Sequence, residues 1–184
     1  MMKSLYHPLI GLSGFKRSGK DTAAYALSAR LGYTRVAFAD ALRDEVFERF
    51  GIRLGDDDKD KPLPAYGLRS YRELLIEHAQ ERRAQNPDYW VDRVDAQVRE
   101  YQKHGIRIVV TDVRMQNEIE WLRSMGGLHV WIHRPGVSSN GHATEQDLSL
   151  LADLAIVNDG ERDRLGDLVT YAATHRPMQS LQAA

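Results

Sequence analysis

A glycine-rich segment near the start of the chain carries the residues whose types and spacing best suit chemistry. Residues 14–20 read Gly-Phe-Lys-Arg-Ser-Gly-Lys, which has the G-x-x-x-x-G-K spacing of a phosphate-binding loop. Glycines let backbone amides turn towards phosphate oxygens without a Cβ clash, and a helix that begins at Lys20 adds its N-terminal amides and dipole. An apolar run precedes the segment and a helical pattern follows it, which favours this interpretation over a chance glycine-rich turn. The residues expected to bind nucleotide phosphates are Gly14, Lys16, Arg17, Ser18, Gly19 and Lys20.

The residue after Lys20 departs from the usual pattern. Ser or Thr normally follows the lysine and contacts Mg²⁺, whereas this chain has Asp21 and then Thr22. A carboxylate is a hard oxygen ligand that binds Mg²⁺ directly or through water. We therefore expect Asp21 and Thr22 in the nucleotide site, with Asp21 as a metal ligand, and the spacing leaves open which of the two contacts the metal.

A second candidate lies at the end of the most β-prone run, residues 106–111. Asp112 follows this run directly, at the position that holds Mg²⁺-bound water in P-loop enzymes, and Arg114 comes two residues later. We expect Asp112 at the metal and Arg114 at the transferred group. Lys20 would act with Arg114 as a catalytic residue, because its charge offsets the charge on a departing γ-phosphoryl group. The alternatives are an Asp that caps the next turn and an ion pair between Arg114 and Glu118.

The elements that must position these residues follow from the alternation of short apolar runs with amphipathic helical segments. This alternation predicts crossover connections and therefore an α/β fold with a five-stranded parallel sheet and helices on both faces. The stretch 41–103 has only helical patterns and a polar loop, so we expect it to form an insertion beside the sheet edge, within a single domain of residues 1–184. The predicted strands are 9–13, 35–39, 106–111, 128–132 and 154–157.

Two helix starts within the expected insertion have sequence signals of their own. Asp40 precedes a helical pattern that begins at Ala41, and we expect it to be the N-cap. Ser70 and Glu73 have the spacing of a capping box.

Composition limits the classes of protein that the sequence fits. The 184 residues have a formal net charge of −1, so a broad basic face for nucleic acid is not expected, and cations must be concentrated at a few positions. The absence of cysteine excludes disulfides and thiolate metal sites. The sequence shows neither a signal-peptide pattern nor an apolar run long enough for a membrane span, and we expect a cytoplasmic location.

Several segments recur in the same order in phage-type deoxynucleoside monophosphate kinases, which the chain resembles from about residue 9 to residue 168. That resemblance implies a P-loop kinase fold and a homodimeric, Mg²⁺-dependent enzyme that uses ATP to convert deoxynucleoside monophosphates to diphosphates. The stretch 76–81 departs from the family pattern, which leaves the choice of nucleotide open. The segments that carry the resemblance are GLSGFKRSGKDTAA, AFADALR, SYRELL, NPDYWVDRV, VVTDVRMQNE, HATEQ and IVNDG.

Arginines are the natural ligands for the phosphate of such an acceptor, because their planar guanidinium groups bind phosphate through two hydrogen bonds. Arg72 and Arg83 are eleven residues apart and so lie on about the same face of a predicted helix. From composition alone, a solvated basic face is the alternative, and the resemblance selects Arg72 and Arg83 over Arg82. Arg43 is a further candidate, and Asp40 is expected to bind the nucleoside or to orient Arg43, with helix capping alone as the alternative. An acceptor phosphate needs no general base, which agrees with the absence of a catalytic histidine pattern.

The remaining candidates lie in the C-terminal half. The polar, glycine-containing stretch 135–150 is a candidate lid, flanked by Arg134, which we expect at the nucleotide. Asn158 follows the last predicted strand and is expected at the edge of an adenine pocket, with a plain turn as the alternative. Other readings of the whole chain are a phosphomevalonate or dephospho-coenzyme A kinase and a non-catalytic nucleotide-binding module.

Overall fold

Strands and helices alternate along the chain in the computed structural model, which describes residues 6–55, 57–139, 146–160 and 162–175. Its strands are β1 (Leu9–Ser13), β2 (Thr34–Val36), β3 (Ile108–Val110), β4 (Leu128–His133) and β5 (Leu154–Val157). Its α-helices are α1 (Lys20–Leu31), α2 (Phe38–Phe50), α3 (Tyr71–Gln85), α4 (Tyr89–Lys103), α5 (Gln116–Ser124) and α6 (Arg162–Thr174).

The five strands form one sheet in the order β2-β3-β1-β4-β5, and all neighbouring strands are parallel. This confirms the predicted parallel sheet. β1 lies at its centre and is buried along its whole length, as expected for a strand covered on both faces. Because the strands are parallel, the segments that follow β1, β3, β4 and β5 all begin at the same edge of the sheet.

Helices cover both faces of the sheet, as predicted. On one face, Ile10 and Leu12 of β1 belong to a buried apolar cluster that includes Leu27 of α1 and Val169 of α6. On the other face, the Cα of Gly11 lies so close to α5 that a Cβ there would be 2.5 Å from a methyl group of Leu122. These two apolar layers hold β1 in place, and the loop that follows it therefore starts from a fixed position.

The chain divides into two compact units. The larger comprises Met1–Val36 and Gln97–Ala184 and contains the sheet, and the smaller comprises Ala37–Ala96. The insertion expected at 41–103 overlaps this smaller unit. No helix in the described residues is long and apolar enough to cross a membrane.

The smaller unit contains α2, α3 and the first part of α4. The predicted capping box at the start of α3 is present: the Ser70 hydroxyl accepts from the Glu73 amide at 3.2 Å, and the Glu73 carboxylate accepts from the Ser70 amide at 2.6 Å. The hydrogen bond from the Ser70 amide is the main reason that the pKa of Glu73 is lowered. Trp90, at the start of α4, is buried.

The predicted role of Asp40 as a helix cap is wrong. The N-cap of α2 is Ala37, which has an extended backbone, and the Asp40 amide donates to the Ala37 carbonyl inside the first turn. The predicted strand 35–39 is correspondingly too long, because β2 ends at Val36. Val36, Ala37 and Phe38 are all buried, and a short apolar run does not by itself distinguish the end of a buried strand from the first turn of a buried helix.

Candidate active site

The glycine-rich loop connects β1 to α1, as the sequence predicts. Gly14 has a φ of 141°, and a Cβ there would lie 2.4 Å from the carbonyl oxygen of Ile132 in β4. Gly19 has a φ of 110°, and its Cβ would lie 2.5 Å from the side-chain nitrogen of Asn158. Both positions combine a backbone conformation that favours glycine with a lack of space for any side chain, so the path of the loop depends on them.

The ammonium group of Lys20 lies against this loop. It donates to the Gly14 carbonyl at 2.7 Å and to the Phe15 carbonyl at 2.9 Å. The Phe15 carbonyl also accepts from the Ser18 amide at 3.1 Å, so that the loop closes on itself. A positive charge is thereby held at the turn between strand and helix, where the N-terminal amides of α1 add a partial positive charge.

Two side chains that the sequence placed at the nucleotide contact the backbone of the loop. Asn158, after β5, donates from its side-chain nitrogen to the Ser18 carbonyl at 2.8 Å. Arg134, after β4, approaches the Arg17 carbonyl at 3.5 Å. The segments after β4 and β5 therefore support the loop along its side. The stretch 140–145 of the candidate lid lies outside the described residues.

The loop has features that suit a polyphosphate. Ser18 is 1% exposed, and its hydroxyl has no hydrogen-bond partner among the described residues. A buried hydroxyl without a partner costs free energy, and a phosphate oxygen is a suitable partner. Lys16 and Arg17 are exposed, so their charges are available to an anion. This loop, with Lys16, Arg17 and Lys20, is the candidate phosphate cradle.

The carboxylates expected at a metal come from neighbouring elements. Asp21 is exposed in the first turn of α1, next to the half-buried Thr22. Asp112 is half-buried and follows β3, the direct neighbour of β1. Within the described residues, no group of three or more acidic or histidine side chains forms a metal site of its own. Asp21 and Asp112 are ligands of the type that Mg²⁺ uses, since it is commonly held by one or two carboxylates together with substrate phosphates and water.

Arg114 has an exposed side chain just beyond Asp112. The buried Glu118 carboxylate accepts from the backbone amides of Arg114 and Met115, at 2.7 and 3.2 Å. Glu118 thus fixes the backbone at the start of α5. Arg114 therefore contacts Glu118 through its backbone amide.

The four residues predicted to bind the acceptor all lie in the smaller unit. Asp40 and Arg43 form an ion pair at 3.1 Å, the contact through which Asp40 would orient Arg43. Arg72 pairs with Asp60, and its Nη2 donates at 3.1 Å. Arg83 is half-buried on the same helix as Arg72. The structure thus brings Asp40 and Arg43 together and places Arg72 and Arg83 on α3, as their spacing predicts.

A polar cluster that the sequence did not reveal surrounds Glu45 in α2. This carboxylate is 8% exposed and accepts from the Tyr89 hydroxyl at 2.6 Å, from His78 at 3.0 Å, and from Arg82 and Arg93 at 3.1 and 3.2 Å. Burial opposes its ionisation, but the hydrogen bonds from Tyr89, His78 and Arg82 outweigh burial and lower the pKa of Glu45. Arg82 therefore does not belong to a solvated basic face. The cluster borders a cavity of about 570 Å³ and connects α2, α3 and α4.

The parallel sheet, the phosphate loop at the end of its central strand and the helical unit define a P-loop kinase, that is, a phosphotransferase. Two solved structures have this fold. Dephospho-CoA kinase from Campylobacter jejuni superposes with a TM-score of 0.52 at 12% identity, over 89% of this chain and 94% of that chain. TT1252 from Thermus thermophilus superposes with a TM-score of 0.52 at 18% identity, over 88% and 94% of the two chains.

Sequence comparison assigns the family. Residues 83–169 match the sequence pattern of deoxynucleotide monophosphate kinases. The chain is also 30% identical over 177 residues to a predicted deoxynucleotide monophosphate kinase of Acanthamoeba polyphaga mimivirus. The match covers 82% of this chain and 88% of the relative. The chain belongs to the deoxynucleotide monophosphate kinase family, which confirms the resemblance seen in its motifs, and it is a nucleotide kinase.

Proposed function

We propose that the protein transfers the γ-phosphoryl group of ATP to deoxynucleoside or nucleoside monophosphates and forms the diphosphates. The observation that carries this proposal is the phosphate loop of a nucleotide-kinase family member, with the Lys20 ammonium held at 2.7 and 2.9 Å from two loop carbonyls. We further propose that the protein acts in the cytoplasm as a homodimer, as the sequence led us to expect.

ATP would bind with its phosphates in the cradle formed by the loop. A phosphate oxygen offers the Lys20 ammonium a charge-assisted hydrogen bond, which is stronger than its bonds to neutral carbonyls. The buried Ser18 hydroxyl would gain its missing partner, and Lys16, Arg17 and Arg134 would add positive charge. Mg²⁺, held by Asp21 and through water by Asp112, would neutralise phosphate charge when bound.

The acceptor would bind through arginines of the helical unit. A monophosphate carries close to two negative charges at neutral pH, and its attacking oxygen is already deprotonated. Catalysis then needs alignment and positive charge, without a general base. Arg43, Arg72 and Arg83 would bind the phosphate, Asp40 would keep Arg43 in place, and Arg114 would contact the group in transfer. The Asp60 carboxylate that pairs with Arg72 would have to give way to the acceptor phosphate.

A coupled assay of ADP formation tests this proposal. The purified protein is given ATP and Mg²⁺ with each of the common deoxynucleoside and nucleoside monophosphates, and with phosphomevalonate and dephospho-coenzyme A for comparison. We expect turnover with one or more nucleoside monophosphates and none with the other two acceptors. Turnover only with phosphomevalonate or dephospho-coenzyme A would refute the proposed substrate class, and absence of turnover with every acceptor would refute the proposed activity.

A further inference from the structure

A fully buried histidine contacts the residue that immediately precedes the phosphate loop. His129 is in β4, opposite Gly11 of the central strand β1, and its side chain is 0% exposed. Its Nε2 lies 2.6 Å from the hydroxyl of Ser13, which is also 0% exposed, and its Nδ1 lies 3.1 Å from the Leu151 carbonyl. A carbonyl only accepts hydrogen bonds, so we assign the proton to Nδ1. Nε2 is then the acceptor for the Ser13 hydroxyl.

Neighbouring groups hold the backbone of His129 and its hydrogen-bond acceptor in place. Asp153 accepts from the backbone amide of His129 at 2.8 Å and pairs with Arg123 of α5 at 2.8 Å. Arg123 also donates to the Leu151 carbonyl at 2.6 Å. It therefore holds in place the carbonyl that accepts from the Nδ1 of His129. Burial lowers the pKa of His129, which keeps the ring neutral and Nε2 free to accept.

Ser13 connects this buried network to the site. It is the last residue of β1 and immediately precedes Gly14, whose carbonyl accepts from the Lys20 ammonium. The Ser13 side chain therefore fixes the point at which the strand becomes the phosphate loop. Asn158 holds the other end of the loop through the Ser18 carbonyl. The start of the loop is thus held by His129 of β4 through Ser13, and its other end is held by Asn158, which follows β5.

We propose that His129 is a positioning residue for the phosphate loop: its neutral imidazole accepts the Ser13 hydroxyl hydrogen and holds the start of the loop in the conformation that binds nucleotide. This inference rests on the nucleotide-binding half of the proposed function and is independent of the acceptor. Because the effect acts through Ser13, nucleotide affinity should change when either partner is removed, and removal of both should cost no more than removal of one.

Binding of the non-hydrolysable ATP analogue AMP-PNP, measured by calorimetry without acceptor, tests the proposal. We expect His129→Leu and Ser13→Ala to weaken binding by about three- to tenfold each, the range of one hydrogen bond. The double variant should bind no more weakly than the weaker single variant, and His129→Gln, which keeps an acceptor, should restore most of the affinity. His133→Leu, on the same strand but exposed, is the control and should bind like the wild type.

The comparison of His129→Gln with His129→Leu gives a second readout that a purely structural role would not change. Both variants remove a buried imidazole, but only glutamine offers an acceptor to the Ser13 hydroxyl, so the two should differ in AMP-PNP affinity. Ser13→Ala removes the same hydrogen bond from the other partner and keeps the test decisive if His129→Leu does not fold. The proposal is overturned if the folded Leu and Ala variants lose thermal stability but bind AMP-PNP as tightly as the wild type, or if His129→Gln binds as weakly as His129→Leu.

Discussion

The side-chain nitrogen of Asn158 donates to the backbone carbonyl of Ser18 at 2.8 Å, although the two residues are 140 positions apart. The same nitrogen occupies the space that a Cβ of Gly19 would need. Asn158 and Gly19 are therefore complementary, since the missing side chain of one makes room for the amide of the other. Through this contact, the segment after the edge strand β5 supports the phosphate loop, which follows the central strand β1.

This contact predicts a nucleotide-binding defect in Asn158→Ala. Loss of one hydrogen bond should raise the Kd for AMP-PNP by about three- to tenfold, because the Ser18 carbonyl loses its donor. Asp159→Ala, at the next position, removes only an exposed ion pair with Arg164 and serves as the control. Equal affinities of the two variants, measured by calorimetry, would show that Asn158 does not support the loop.

Lys20→Met should lower kcat much more than it weakens ATP binding. If the ammonium stabilises charge that develops in transfer, its loss should reduce kcat by about 100- to 1,000-fold, as with other charge-stabilising donors. Steady-state kinetics in the coupled assay provides the measurement. Lys103→Met, which removes an exposed lysine paired with Glu100, is the control. A kcat within a few-fold of wild type would place Lys20 away from the reacting group.

Asp21→Asn and Asp112→Asn should each raise the Mg²⁺ concentration needed for half-maximal rate, since a neutral amide is a weaker ligand than a carboxylate. A titration of rate against Mg²⁺ at saturating ATP measures this directly. Asp163→Asn, an exposed carboxylate near Arg30, provides the comparison. Mg²⁺ dependence that is unchanged in both variants would assign the metal to other ligands.

Arg72→Ala and Arg83→Ala should raise the KM for the acceptor while the KM for ATP stays nearly constant. A charge-assisted hydrogen bond is worth about 1.5–3 kcal/mol, or roughly ten- to a hundredfold in kcat/KM for the acceptor. Arg82→Ala is the matched control: it should lower thermal stability, because Arg82 binds the buried Glu45, and leave the acceptor KM almost unaltered. Small, salt-sensitive effects at Arg72 and Arg83, no larger than that at Arg82, would remove the acceptor site from these two arginines.

Glu45→Gln should destabilise the protein, because an amide cannot replace a carboxylate that accepts from four donors. We expect a loss of about 1–3 kcal/mol in the free energy of unfolding, the cost of leaving buried donors unpaired. The folded-state pKa of Glu45 is below its ordinary value, so its carboxylate stabilises the fold above about pH 4.3 and loses this effect as the pH falls through the folded-state pKa. The difference in melting temperature between wild type and variant should therefore shrink in acid, and a difference that is constant with pH would contradict this assignment.

Most of the fold could be predicted from the sequence because its signals are local. The phosphate loop combines an apolar strand, two glycines and a helix start within a short segment, and the capping box of Ser70 and Glu73 lies within one turn. The predicted strand ends were less accurate, as the start of α2 at Phe38 shows, because a few buried apolar residues suit a strand or a helix equally well.

The polar networks could not be predicted, because their members are distant in sequence. Nothing in the spacing of Glu45 and Tyr89 relates them, and Glu45 resembles any exposed charge on an amphipathic helix until the three helices pack. His129 did carry a signal: it stands inside the apolar run Leu-His-Val-Trp-Ile of a strand that is buried. A histidine in such a run must find partners for both ring nitrogens, and this requirement points to the buried serine beside it.

The position of β1 at the centre of the sheet has a consequence for biogenesis. Its neighbours β3 and β4 begin only at Ile108 and Leu128, so the apolar residues Leu9 to Leu12 leave the ribosome long before any strand can pair with them. At synthesis rates of about 5–20 residues per second, the delay between Ser13 and Leu128 is roughly 6–23 s. During this time the apolar segment lacks both of its neighbouring strands, and exposed hydrophobic surface of this kind is what chaperones protect. The phosphate loop is therefore synthesised well before β3 and β4, and it can acquire its structure only after they have paired with β1.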